Sequence, residues 1–115
     1  MPLLFSYGTL QHPDLQLTTF GRLLDGQPDA LPRFELSRVE VTDPQLIARG
    51  KAHHANVIFN GRDESRVGGT VYLVTDAELA AADGFEKPFA YARTAVRLAS
   101  AKEAWVYVHA PAQIA

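Results

Sequence analysis

The apolar positions open on a continuous run, Leu3-Leu4-Phe5, that breaks at once into Tyr7-Gly8-Thr9-Leu10. Such a run predicts a strand entering the core, and glycine at position 8 opens backbone angles closed to other residues. Pro13 suits the first turn of a short helix that ends near Gly21, because proline is tolerated at a helix start and glycine favours its exit. In RFELSRVEV, Phe34, Leu36, Val39 and Val41 alternate with polar residues, with one slip of phase, which predicts a strand with one wet face and a bulge. The runs NVIF at 56 to 59 and GGTVYLV at 68 to 74 flank the turn-like NGRDESR and predict a hairpin. Thr75 and Glu78 have capping-box spacing, and the helix they start is expected to end at Gly84. YARTAVRLA and AWVYVHA predict two more strands, the last stopped by Pro111. Many strands with one or two short helices imply an α+β fold on a curled, mostly antiparallel sheet or small β-barrel.

Composition narrows the class. The 115 residues, 47% hydrophobic and 10% aromatic, suit one compact domain over residues 1–115, with no linker or repeat dividing it. Cysteine is absent, which removes disulfides, thiolate metal sites and cysteine nucleophiles and suits a reducing, cytoplasmic setting. No metal site is expected, because His53 and His54 are adjacent on opposite faces of a strand and His12 and His109 lie near the two ends of the sequence. A net charge of −2 with scattered lysines and arginines gives no general pull toward nucleic acid, and no segment approaches the ~20 apolar residues that span a bilayer.

Two stretches carry candidate chemistry. A strand running into Tyr7-Gly8-Thr9-Leu10 can present successive backbone N–H groups to an anion or an oxyanion; the alternative is a tight turn around a packed tyrosine. In ELAAADGFEKPFAYAR, Glu86 stands between Phe85 and Phe89, and shielding by those rings would disfavour its charged form and make it a candidate general base. The alternative is an exposed glutamate at a helix end, paired with Lys87. Asp83 adds repulsion of the same sign, with little effect if exposed. Val67-Gly68-Gly69-Thr70 puts paired glycines inside a strand, which marks a bulge, a close backbone approach or room for a ligand.

Taken in order, Tyr7-Gly8-Thr9-Leu10, Val67-Gly68-Gly69-Thr70-Val71-Tyr72, Ala82-Asp83-Gly84-Phe85-Glu86 and Tyr91-Ala92-Arg93 resemble the gamma-glutamylcyclotransferase-like family, from residue 3 to about 109. The resemblance implies a barrel of five to seven strands, a small-molecule gamma-glutamyl substrate and no cofactor. It implies Glu86 as general acid/base, with Tyr7, Gly8, Thr9 and Leu10 binding substrate through the turn amides. The implied reaction closes 5-oxoproline by attack of the substrate's α-amine on its own side-chain carbonyl, with release of an amine or amino acid. Thr9 separates the chain from the serine-asparagine form of the branch acting on gamma-glutamyl dipeptides, and Ala82 stands where the family carries leucine. A barrel that binds a small amino-acid-like ligand without turning it over is the competing expectation. Binding of single-stranded nucleic acid ranks far behind, because WVYVH has aromatic residues without a basic groove.

Overall fold

The structure is a computed structural model that describes residues 1–40 and 53–109, with backbone alone at 38–40 and 53–55. Strand β1 (Leu3–Ser6) leads through a 3-10 turn (Thr9–Gln11) into helix α1 (Pro13–Phe20), followed by β2 (Asp25–Pro32), β3 (Phe34–Glu40), β4 (His53–Phe59) and β5 (Arg66–Leu73). Helix α2 (Asp76–Glu86), a 3-10 turn (Lys87–Phe89), β6 (Tyr91–Arg97) and β7 (Glu103–His109) complete the described chain.

Five strands form one sheet in the order β2-β5-β1-β7-β6, and β3 and β4 form a second, two-stranded sheet. The large sheet is mixed, since β1 runs antiparallel to β5 and parallel to β7. It does not close into the expected barrel. Its two edges meet at one end, where the Ala99 amide donates to Ala30 O at 2.8 Å and Ser100 Oγ donates to Asp29 at 2.5 Å.

The central strands are apolar on both faces because both faces are covered. Phe5, Val67, Val71, Ala104, Val106 and Val108 point toward the small sheet and pack with Val57 and Leu31. Their neighbours Leu4, Tyr72 and Tyr107 point the other way, against Leu10, Leu79 and Ala82 under the helices. The period-two alternation of a strand thus separates two clusters. Asn56, 2% exposed, ties the layers together by accepting from the His109 amide at 3.1 Å.

Three local expectations are corrected. NVIF does not pair with GGTVYLV: β4 pairs with β3, while β5 pairs with β1 and β2. The connection between them turns from one sheet to the other around Arg33, whose amide donates to Ser65 O at 2.8 Å and whose carbonyl accepts from Asn60 N at 2.9 Å. The slip in RFELSRVEV makes no bulge within the described pairs, which run one to one from Phe34–Phe59 to Glu40–His53. Val41 and the Pro111 stop lie outside the described residues. The third correction is the helix end: α2 runs through Gly84 to Glu86, because Pro88 and the left-handed Ala90 at φ 61° supply the stop further on.

Candidate active site around Glu86

Carrying α2 through Gly84 changes what Glu86 does. Leu79, Ala82 and Glu86 are the buried residues of the helix, spaced three and then four apart, so they share one face. The glutamate therefore points with the core-facing side chains and is 6% exposed. The reading of an exposed helix-end carboxylate gives way to a buried one. The other end of α2 is fixed as expected, by a complete capping box between Thr75 and Glu78.

Three phenols feel the Glu86 charge. Burial, then the Tyr91 phenol and Glu86, hold the Tyr7 phenol well above the ordinary tyrosine range, against an opposing backbone contact at Val57. Tyr91 is raised by burial and by Glu86. For Tyr107 the causes are burial, the hydrogen bond to Asp83, the Asp83 charge and Glu86, with Arg93 opposing. All three therefore stay protonated near neutral pH.

Two of those protons are committed elsewhere. Tyr7 OH donates to the Tyr107 main-chain carbonyl at 2.6 Å, and Tyr107 OH donates to Asp83 Oδ1 at 2.8 Å. Asp83 also takes Arg93 Nε at 2.7 Å, and the Arg93 guanidinium lies 4.7 Å from the centre of the Trp105 ring. Asp83, 42% exposed at its side chain, is thus a junction between strands and helix rather than the inert helix-end residue expected. Phe85 and Phe89, the proposed shields, stand with ring centres 6.0 Å apart.

The opening turn is brought to this cluster at Tyr7, while its other members have separate surroundings. Leu10 is 3% exposed and packs under the helices. The Gly8 amide faces back to Ser6 Oγ at 3.4 Å, and Gly8 has φ −138°. The special backbone freedom expected of it is not used as a left-handed conformation. The turn is instead pinned by side chains the sequence reading passed over. Gln11 Nε2 donates to Gly8 O at 3.2 Å and its Oε1 accepts from Thr70 Oγ1 at 3.0 Å. Gln16, 4% exposed, donates to Leu10 O at 2.9 Å and accepts from the Leu24 amide at 3.0 Å. A glutamine on a short helix beside an apolar run was the available signal. Of the glycine pair, Gly69 marks a close approach, since a Cβ there would run into Ser6 O and the Phe5 ring.

Two grooves of about 570 and 770 Å³ open elsewhere, beside Trp105 and Arg97 and between Phe59 and Thr94, and neither is lined by Glu86 or the opening turn. Among the described residues, no group of three His, Asp or Glu side chains is arranged to hold a metal, and no helix is long and apolar enough to cross a membrane. His12 is exposed at the start of α1, and His109 meets Tyr91 edge-on at 5.6 Å. The side chains of His53 and His54 lie outside the described residues.

Solved structures share this architecture. A solution structure from Arabidopsis thaliana aligns with TM-score 0.71 at 22% identity, covering 98% of this chain and 64% of that one. A protein titled Gamma-glutamyl cyclotransferase aligns with TM-score 0.71 at 16% identity over 92% of this chain and 64% of its own. An uncharacterized Homo sapiens protein aligns with TM-score 0.67 at 18% identity, again over 92% of this chain and 64% of that one. At these identities the likeness is one of fold, and the chain spans 64% of the length of these three structures. No curated protein matches at a significant level. The sequence as a whole, from residue 4 to 115, matches the family described as Gamma-glutamyl cyclotransferase, AIG2-like, and the chain belongs to that family.

Proposed function

We propose that the protein is a gamma-glutamyl cyclotransferase in which Glu86 is the general acid/base. The observation that carries this reading is the burial of Glu86 on the inner face of α2, 6% exposed, where its charge reaches Tyr7, Tyr91 and Tyr107. The Tyr7 and Tyr107 protons are directed at a carbonyl and at Asp83. In this reading Glu86, buried on that face, takes a proton from an incoming α-ammonium group.

In the proposed reaction, Glu86 removes a proton from the substrate ammonium, and the freed amine attacks the γ-carbonyl carbon of the same molecule. A C–N bond closes the five-membered ring, and the proton on Glu86 passes to the leaving nitrogen as the original amide C–N bond breaks. The surplus proton of the ring nitrogen passes through Glu86 to the released amine, which departs as an ammonium ion. The products are 5-oxoproline and a free amine or amino acid. Because nucleophile and carbonyl belong to one molecule, the protein's share is to fold the substrate, move the proton and steady the oxyanion. The amides of Thr9 and Leu10, at the start of their 3-10 turn, have no partner within that turn and suit the substrate carboxylate or the oxyanion. The reaction as written needs no cofactor.

The test is incubation with a panel of gamma-glutamyl amines and gamma-glutamyl dipeptides, with 5-oxoproline as the readout. Release that vanishes with Glu86→Gln supports the reading. Saturable binding of these compounds without release would replace it with the ligand-holding barrel.

A further inference from the structure

The last turn of α2 is poorly held by its own sequence. Gly84 sits inside the helix, where glycine is among the weakest helix formers, and Pro88 follows closely. Yet this turn carries Glu86. Asp83, one residue before the glycine, ties it to the sheet: its carboxylate takes Tyr107 OH at 2.8 Å from β7 and Arg93 Nε at 2.7 Å from β6.

Tyr107 is attached at both ends. Its side chain reaches Asp83, and its main-chain carbonyl accepts the Tyr7 hydroxyl at 2.6 Å. Two short hydrogen bonds through one residue therefore join the helix turn bearing Glu86 to the turn that opens at Tyr7. Arg93 also lies over Trp105, its guanidinium 4.7 Å from the ring centre, so the cation at the Asp83 end has a second contact on the sheet.

We infer that Asp83 and Tyr107 are positioning residues that set the placement of Glu86 against the Tyr7–Leu10 turn. This rests on the proposed role of Glu86. A carboxylate that must reach the ammonium while the turn steadies the other end of the same small molecule tolerates little displacement, and errors of this kind appear in turnover more than in binding.

Tyr107→Phe removes the hydroxyl and keeps the ring packed beneath Leu79. Asp83→Asn keeps an acceptor for Tyr107 and removes the charge that holds Arg93. We expect kcat to fall roughly 10-fold in Tyr107→Phe and less in Asp83→Asn, with KM changed by less than about 3-fold. The double variant should lose little more than Tyr107→Phe alone, because the two act through one link. Independently of activity, hydrogen exchange at the Phe85, Glu86 and Lys87 amides should accelerate in both variants while β1 and β5 stay protected. Unchanged kcat with accelerated exchange would leave a merely structural tie and overturn the inference, as would unchanged exchange. Should the parent protein release no 5-oxoproline from any substrate on the panel, the proposed function falls, and the exchange measurement still decides whether the link holds the Glu86 turn.

Discussion

Tyr7 and Tyr107, one hundred residues apart in the chain, are joined by a 2.6 Å hydrogen bond from the Tyr7 hydroxyl to the Tyr107 carbonyl. The bond crosses from the end of β1 to β7, its parallel neighbour in the sheet. It fixes a side chain of the opening turn against the strand whose own tyrosine grips α2.

Tyr7→Phe deletes that bond and leaves a part-buried carbonyl without its partner. Removing one side of such a pair costs about 1–3 kcal/mol. Urea denaturation should show the midpoint falling with an unchanged slope. A variant as stable as the parent would mean that water replaces the hydroxyl there at no loss.

Glu86→Gln preserves shape and removes the proton-accepting charge. Turnover should drop by roughly 10²-fold or more, the usual share of a positioned acid/base. The same variant offers a check without substrate, since Tyr7, Tyr91 and Tyr107 are all held protonated in part by Glu86. Alkaline titration followed by tyrosinate absorbance should show part of the ionisation moved to lower pH in Glu86→Gln, a part only, because burial is the largest cause of the rise in all three. Their raised values stabilise the fold fully below the ordinary tyrosine pKa of ~10, and this contribution is lost as pH climbs above it. An identical alkaline titration in both proteins would show that the carboxylate does not reach the phenols.

Much of this arrangement was legible in the sequence, and its gaps have physical causes. The opening strand, the helix from Pro13 to its glycine exit, the Thr75–Glu78 cap and the final strands are set by local chemistry, and they stand where expected. Strand β2 was not foreseen, because Gly26, Pro28 and Pro32 argue against a strand. It forms as an edge, where proline's missing donor is harmless, and it is drawn in by pairing along β5 and by the fully buried Leu31. The β4–β5 hairpin failed for the converse reason: a good local turn signal lost to pairings set by distant strands. Around Glu86, the family motifs pointed to the residue, but its inward direction depended on the helix outlasting Gly84. The Asp83–Tyr107–Arg93 junction exists only once helix and strands are packed.

Gly84→Ala follows from that helix. A Cβ at position 84 would meet nothing within 4 Å, and no positive φ is needed there. Alanine should therefore stabilise the protein by about 0.5–1 kcal/mol, the difference between the two residues in a helix interior. Thermal melting is sufficient to detect it. A decrease would indicate that the glycine serves a function the free helix face does not reveal.

Gln16→Leu tests the support beneath the opening turn. Gln16 satisfies both Leu10 O and the Leu24 amide from a buried position. Leucine matches the size and strands two polar groups, so the loss should reach about 2 kcal/mol or more. Gln16→Glu, which keeps the acceptor for Leu24 and loses the donor for Leu10, should also destabilise. A Gln16→Leu protein of parental stability would show that the turn does not need this bridge.

The last expectation concerns acid. Glu78 receives Arg22 through two contacts, Nε to Oε2 at 2.6 Å and NH2 to Oε1 at 2.8 Å, and Oε1 also accepts the Thr75 amide at 2.9 Å. The Arg22 hydrogen bonds are the largest cause holding the Glu78 carboxyl down to about 2, with the cap amide and the Arg22 charge adding to them against partial burial. In the unfolded chain the same carboxyl titrates near ~4.3. The folded pKa is the lower one, so this stabilisation is fully present above the unfolded value and is lost as pH falls from there toward 2. Arg22 follows α1 and Glu78 begins α2, so the pair ties the two helices, and acid should loosen that tie. Denaturation midpoints of the parent should fall between pH 5 and pH 2.5, and Glu78→Gln should flatten that fall while lowering the midpoint near neutrality. Arg22 is 40% exposed at its side chain, so raised salt should narrow the gap between parent and variant. Parallel pH curves for the two proteins would place the acid sensitivity in other carboxylates and remove Glu78 from it.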